Sequence, residues 1–226
     1  MHKLLTIPVV RPDTKPSDYF RPGAFLLNNL GYIKGPDEGN FSYSKSAFNI
    51  PDVGVCLNFR ISYNSFLNEI PEGILAHQTL GPGWLHNYQA YMVPVSASYD
   101  ANCKEVASAK WAIVWPGETI HIYEAESLES ISFGLYDELE KIALGEYRVT
   151  TKYDQEYTFK LINPGSSTLL HLTSIKDHNG NELKLDYILD YLSTVTAPSG
   201  RRLRFLYKKD ASTNDQLLLT KVEAPD

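Results

Sequence analysis

The sequence predicts an all-β fold built from antiparallel β-hairpins, and three observations carry that prediction. Fifteen Tyr against two Met, with 14 Gly and 13 Pro, is the usage of a turn-rich β protein. Aromatic side chains suit a pleated surface, and Gly and Pro punctuate hairpins. Apolar and polar residues alternate at period two over long stretches, which marks half-buried strands. Near residue 170 the chain begins to repeat itself at the length of a hairpin.

The 226 residues are enough for one or two domains with a real core. Apolar residues make up 43% and charged residues 21%, so neither wholesale disorder nor a membrane protein is expected. Net charge is −6, from 21 basic and 27 acidic residues, with a pI near 5.5. That is the wrong sign for a chain that coats nucleic acid or anionic lipid. No run is long and apolar enough for membrane insertion. Residues 1–10 show no signal peptide, because the uncharged stretch after Lys3 is short and lacks a small-residue cleavage site.

Residues 1–38 hold Pro8, Pro12, Pro16, Pro22 and Pro36. That spacing interrupts every candidate element and predicts a Pro-rich N-terminal arm, with Ala24 to Leu30 as its one apolar patch. From Gly39 alternation takes over. Val53, Val55, Leu57, Phe59, Ile61 and Tyr63 predict one strand over about 53–64, with Cys56, Asn58, Arg60 and Ser62 on its other face. Gly- and Pro-rich residues 66–83 read as a long connection. Strands follow at 84–96, 110–115, 119–123, 139–144, 147–152 and 157–162, with tight turns at Pro116-Gly117-Glu118 and Gly145-Glu146. The acidic stretch 124–138 is the one place where a short helix would fit.

Leu172 to Tyr187 and Leu192 to Tyr207 match at an offset of 20. Leu172/Leu192, Gly180/Gly200, Leu183/Leu203 and Tyr187/Tyr207 are identical pairs. Each unit predicts a short strand, a turn at 177–180 or 197–200, and an alternating strand ending in Tyr. Asn179-Gly180 suits positive φ. Leu172 and Ile175, three apart, cannot share a face of a regular strand, so a bulge or strand end is expected between them. A third copy begins at Leu219-Thr220-Lys221-Val222, delayed by a polar loop. Units this small need their neighbours to complete a core.

These repeats resemble those of the RHS or YD-repeat proteins. Upstream, Gly39-Asn-Phe-Ser-Tyr43, Phe59-Arg-Ile-Ser-Tyr-Asn-Ser65 and Leu80-Gly-Pro-Gly-Trp-Leu-His-Asn-Tyr88 are similar to the module that precedes the RHS core in that family. The resemblance covers residues 39–226 and implies three parts: the arm at 1–38, an N-terminal shell module at 39–165, and the first, truncated hairpin repeats at 166–226. It implies a curved, spirally wound β-sheet, the start of a hollow shell that encapsulates a C-terminal toxin in bacterial polymorphic toxins. Such a protein is made in the cytoplasm and then secreted or delivered as part of a larger chain. The partners implied are the remainder of the shell or its toxin cargo. The name-giving Tyr-Asp pair is missing, since Tyr187 precedes Ile188 and Tyr207 precedes Lys208, and a fragment of a longer reading frame is expected.

The chemistry in the sequence is sparse. Six His residues show no i, i+4 pair, and neither cysteine has a partner at metal-ligand spacing. No nucleophile elbow, P-loop or dinucleotide fingerprint is present. The sequence therefore predicts no catalytic residue, no cofactor and no metal. Cys56 and Cys103 are expected to be buried free thiols, with one bridge between them as the open alternative. Trp84, His86 and Tyr88 are expected on one strand face as a structural motif, with Trp84 largely buried against the 53–64 strand. Gly180, Tyr187, Gly200 and Tyr207 complete the structural set. The Arg201–Lys209 basic cluster reads as a solvated hairpin face. Two partner classes stay open: a glycan or protein bound on an aromatic sheet face, and self-association through the edge strand 217–223.

Overall fold

The computed structural model describes residues 26–27, 31–32, 42–64, 79–95, 98–99, 105–107, 109–116, 120–131, 135–165, 168–209 and 217–225. They form β1 (Leu26–Leu27), β2 (Gly31–Tyr32), β3 (Ser42–Ile50), β4 (Leu57–Asn64), β5 (Trp84–His86), β6 (Tyr91–Val95), β7 (Ser98–Tyr99), β8 (Glu105–Ala107), β9 (Lys110–Val114), β10 (Ile120–Glu124), β11 (Glu138–Ala143), β12 (Glu146–Thr150), β13 (Glu156–Lys160), β14 (Leu170–Lys176), β15 (Glu182–Ile188), β16 (Tyr191–Thr196), β17 (Arg202–Lys209) and β18 (Leu217–Glu223). Every strand pairing is antiparallel, and no helix occurs among the described residues. The arm predicted at 1–38 lies outside the described residues, apart from β1 and β2, which pair with each other. Cys103, most of the 66–83 connection and the turn at 117–119 also lie outside them.

Two sheets carry the fold. One has three strands in the order β3-β4-β5, and the other has eleven. The large sheet branches at β14. Along one edge β14 pairs throughout with β13, while along the other Leu170 and His171 pair with β6 and Ser174 to Lys176 pair with β15. One arm then runs β6-β9-β10, another runs β15 to β18, and β11-β12-β13 closes the opposite side. The sheet is open and does not curl round to join its edges, which are β10, β11 and β18.

Alternation places the strands well and their ends less well. β4 starts at Leu57, not 53, because the chain bends through Val53 to Val55, with Gly54 at φ 72°. The predicted 84–96 strand is two strands. The Gln89 N–H donates to the His86 carbonyl at 2.9 Å, making a turn. Asn87 drives it, since its Oδ1 accepts from Arg60 N–H at 2.9 Å and its own N–H donates to the Arg60 carbonyl at 3.0 Å. The side chain thereby ends the pairing with β4, and the chain crosses to the large sheet at Tyr91. No helix forms in the described part of 124–138. Leu128 N–H donates back to Glu124 O, Leu128 takes φ 59°, and the chain returns as a bridge between Tyr123 and Ser130.

The repeat has a defined geometry. Asp177 N–H donates to Asn181 O and Gly180 N–H to Asp177 O; twenty residues on, Ala197 N–H donates to Arg201 O and Gly200 N–H to Ala197 O. These are three-residue hairpin loops closed by a left-handed residue. Gly180 and Gly200 sit at φ 85° and 88°, while Asn179 keeps negative φ, so only the glycine of the Asn-Gly pair turns left-handed. A further copy of the turn occurs at 151–155, where Thr151 N–H donates to Gln155 O and Asp154 N–H to Thr151 O, with Asp154 at φ 57° in the glycine's place.

The bulge expected between Leu172 and Ile175 is present, and it recurs. The register skips Thr173 against β13, Ser193 against β15 and Thr220 against β17. At each skip an aromatic ring faces a leucine across the ladder: Phe159 opposite Leu172, Tyr187 opposite Leu192, Tyr207 opposite Leu219. The skipped residue always bears a hydroxyl. Thr173 donates to Thr158 O at 3.2 Å and Thr220 to Leu206 O at 3.1 Å, filling hydrogen-bonding positions that the bulge opens.

The three-stranded sheet packs onto the hairpins. Phe59 lies 6.0 Å from Phe205, edge to face, and residues 51–54 run across two hairpin turns. A Cβ on Gly54 would stand 2.3 Å from Asp177 Oδ2, so only glycine fits against the first turn. At the second turn Asp52 does the work. In the first turn Asp177 Oδ1 accepts from the N–H groups of Asn179 and Asn181, both at 2.9 Å. The residue matching Asp177 in the second turn is Ala197, which has no carboxylate. Asp52, 147 positions away, supplies one: it accepts from Ser199 N–H at 3.3 Å, Ser199 Oγ at 2.5 Å, and Arg201 Nε and Nη2 at 3.0 and 2.8 Å. The Ser199 hydroxyl, with help from the Val53 N–H and the Arg201 guanidinium and against the cost of desolvation, holds the Asp52 carboxyl down to about 2.

Asp52→Ala is expected to cost at most about 1.5–3 kcal/mol, the range for hydrogen bonds to a charged group, reduced by solvent screening at this partly exposed turn. Ala197→Asp in that background is expected to restore most of the loss, because the local turn then regains its own acceptor. Urea unfolding of the single and double variants reads both. Because the folded pKa is depressed, this contribution is present above about pH 4 and is lost as pH falls through about 2.

Candidate functional site

Four of the predicted motif residues converge. His86, Tyr88, Tyr187 and Tyr207 line one small cavity together with Thr79, His171 and Asp190. β5 and the turn after it bring His86 and Tyr88, while the ends of β15 and β17 bring the two tyrosines. The repeat's offset of 20 puts Tyr187 and Tyr207 at equivalent ends of alternate strands, so their rings stand on the same side of the sheet.

Burial sets the chemistry of these groups. His86 is 2% exposed and packs, tilted, against both Phe59 at 5.7 Å and Phe205 at 5.6 Å, which also touch each other. Desolvation lowers its pKa to about 3, so at neutral pH it is uncharged. Its Nδ1 accepts from Tyr88 N–H at 3.3 Å, which places the ring proton on Nε2. Tyr88 accepts from Asn58 N–H at 3.2 Å, and burial pushes its phenol up to about 12. Tyr187 donates to Leu172 O at 2.8 Å, the carbonyl of the preceding unit's leucine, and desolvation raises its phenol far above the usual range. Desolvation also raises Tyr207, which packs edge to face with Tyr191 at 5.4 Å.

His171 and Asp190 form a pair beside this set. His171 Nε2 and Asp190 Oδ1 are 3.2 Å apart, Asn163 Nδ2 donates to Asp190 Oδ2 at 3.4 Å, and the His171 ring lies 4.8 Å from that of Tyr187. A histidine oriented by a carboxylate is the arrangement of a general base. The cavity it faces measures about 30 Å³, the share of a single water molecule in the liquid. That leaves room for about one water beside the pair, whose contacts satisfy polar groups where the two sheets meet. Among the described residues no group of three or more His, Cys, Asp or Glu is placed to hold a metal.

Trp84, Gly180 and Gly200 stand elsewhere. Trp84 is partly buried, against the strand expected to receive it. It sits at the outer end of β5 opposite Tyr63, with ring centroids 5.2 Å apart and Tyr43 at 6.2 Å. That aromatic row is four residues further along β4 than Phe59. Gly180 and Gly200 lie in the hairpin turns, where a Cβ would meet nothing within 4 Å. Backbone conformation alone therefore requires glycine at both. Cys56 is a free thiol, half-buried instead of buried. In the basic cluster Arg201 is tied to Asp52, whereas Arg202, Arg204, Lys208 and Lys209 are exposed on β17.

Two larger concavities flank this centre. One, about 650 Å³, lies over the polar face of β12 to β15 and includes Glu146, Thr158, Lys160, Ser174, Lys184 and Asp186. Its charges are largely matched, with Lys160 bound to Glu146 at 2.9 Å and Lys184 near Glu182 at 3.7 Å. The other, about 460 Å³, lies between the three-stranded sheet and the large one. The most exposed tyrosines with described side chains, Tyr136 and Tyr153, line neither.

Sequence reasoning missed Phe205, Asp52 and the His171–Asp190 pair. Asp52 had a signal, namely the loss of the turn aspartate between the two copies, Asp177 to Ala197. Phe205 replaces Leu185 at the matching position, and that increase in size marks where the smaller sheet docks. The His171–Asp190 pair had none, since its members lie 19 residues apart at a strand pair and a loop. In comparisons with known proteins, no family model matches the chain and no curated protein matches it.

Proposed function

We propose that this chain is a non-catalytic wall segment of an RHS or YD-repeat type, the beginning of a curved, spirally wound sheet that encloses a C-terminal toxin or effector cargo within a larger, exported bacterial protein. The observation that carries this reading is the recurrence of one unit at three strand pairs: aromatic opposite leucine, a hydroxyl residue skipped in the register, and a repeated turn. Each unit offers the next strand the same edge it received, so the sheet extends by addition. The physical work is exclusion. A continuous hydrogen-bonded sheet with a dry aromatic seam separates what lies on its two sides. The concave polar face over β12 to β15 suits a wall facing a hydrated cargo, since its matched charges bind nothing strongly.

On this reading β18 accepts a further strand. Leu219 N–H donates to Thr79 O at 2.7 Å, away from β17, and period two puts the Leu217 N–H on that same outer edge. Light scattering over a concentration series is expected to show self-association through this edge, suppressed by Leu217→Pro, which removes an outward donor at the start of the strand. A wild-type chain that stays monomeric at high concentration would overturn the reading. A second reading, a binding module, is favoured by the cleft between the two sheets, where Trp115 and Tyr157 form one wall.

A further inference from the structure

The cleft between the sheets differs in kind from the other concavities. Its floor is apolar, from Leu172, Ile175 and Leu183 of the large sheet. One wall is aromatic: Trp115 and Tyr157 stand edge to face, 4.9 Å between centroids. Both rings are held in place, since Trp115 Nε1 donates to His121 Nδ1 at 2.9 Å and Tyr157 Oη donates to Gln155 Oε1 at 2.8 Å. The facing wall is polar and comes from β4 and the turn after β5, with Asn58, Arg60 and Asn87.

The hydrogen-bonding capacity left in that wall is one-sided. Asn87 Oδ1 accepts from Arg60 N–H, which commits Asn87 Nδ2 to donate to Asn58 O at 3.3 Å and to Asn58 Oδ1 at 2.6 Å. That in turn leaves the Asn58 amide nitrogen as a donor. Arg60 is exposed, and its guanidinium has no ion-pair or hydrogen-bond partner among the described residues. Among the described residues no acidic side chain lines the cleft and Arg60 is the one charged residue that does, in a chain of net charge −6. What remains to be satisfied consists of donors and a positive charge, beside a rigid aromatic and aliphatic surface. A volume of about 460 Å³ lies within the range of small-molecule sites.

From these features we infer that the cleft binds an amphipathic carboxylate: a planar apolar body against Trp115, Tyr157 and Ile175, with its carboxylate on the Arg60 guanidinium and the Asn58 amide. Charge-assisted bonds from a planar fork are the strongest such contact available to this wall. The site is separate from the β18 edge, and neither result depends on the other.

Indole-3-acetate and its neutral amide, indole-3-acetamide, serve as probes in calorimetric titration of the full chain. The acid is expected to bind saturably and about tenfold or more tighter than the amide. Arg60→Gln is expected to bring the acid down to the level of the amide, and Arg60→Lys to retain part of the difference. In a Cys103→Ser background the bound acid is expected to slow thiol labelling of Cys56, which lines the same cleft. Equal affinity for acid and amide overturns the inference, as does a preference for the acid that survives Arg60→Gln. Failure of the acid to saturate by about 10 mM overturns it as well. Because Arg60 lies on the surface, unfolding of the variant is not expected, and its unfolding curve serves as the control.

Discussion

Phe205→Ala is expected to cost about 3–5 kcal/mol, the range for removing a buried phenyl ring. Phe205 is 5% exposed and is the point where the two sheets meet. Its ring contacts Phe59 at 6.0 Å, His86 at 5.6 Å and Tyr88 at 6.2 Å. Those three partners come from β4, β5 and the turn that leads into the large sheet. Truncation removes the apolar area and leaves a cavity bordered by rings that cannot collapse without moving the smaller sheet. The loss is therefore expected to be local first. Amide exchange across β3, β4 and β5 should accelerate more than exchange in β12 and β13, which lie on the far side of the core. Chemical denaturation gives the total and hydrogen exchange its distribution. A cost below about 1 kcal/mol would mean that the sheets do not meet at this residue.

The second large effect is a pH dependence centred on His86. An ordinary histidine takes up its proton near 6.5, while desolvation against Phe59 and Phe205 holds folded His86 down to about 3. Between these values the unfolded chain binds the extra proton and the folded chain does not, so stability falls as pH falls. At about 1.4 kcal/mol per pH unit, acidification from pH 7 to 5 is expected to remove about 2 kcal/mol. Ordinary carboxylates titrate below this window, so the slope between pH 6.5 and 5 belongs to histidine. In His86→Gln the absolute stability drops, but the slope in this window is expected to flatten. Unfolding midpoints of both proteins at several pH values measure it. A slope that survives the substitution would assign the effect to another group.

The repeat shows how much of the fold was legible in the sequence. Two hairpins at an offset of 20 followed from spacing alone, as did a bulge or a strand end between Leu172 and Ile175, since a regular strand cannot bury both; the bulge at Thr173 is the form it takes. The further copy of the turn at 151–155 was hidden, since Thr151 and Asp154 stand where the recognisable units have Asp or Ala and Gly. Backbone hydrogen bonds preserve the turn although its signature residues have changed. The break at Asn87 was also hidden. Trp84, His86 and Tyr88 alternate as one strand would, and only the bond from Arg60 N–H to the Asn87 side chain shows why pairing stops there. The sequence singled out the motif residues, but not that His86, Tyr88, Tyr187 and Tyr207 share one cavity. That meeting depends on the docking of one sheet on another, a long-range event that local pattern does not encode. Asp52 shows the same limit, since its partners lie 147 and 149 positions away.

On the proposed reading, a hairpin unit extends this sheet by adding to β18. Residue-resolved amide exchange across a concentration series tests it most directly. The Leu219 amide, already bonded to the Thr79 carbonyl, is expected to be protected at every concentration. The Leu217 amide, on the same outer edge, is expected to exchange freely in dilute solution and to become protected as the chains associate. Assemblies that form while the Leu217 amide stays exposed would contradict the claim, and would place the contact on another face of the protein.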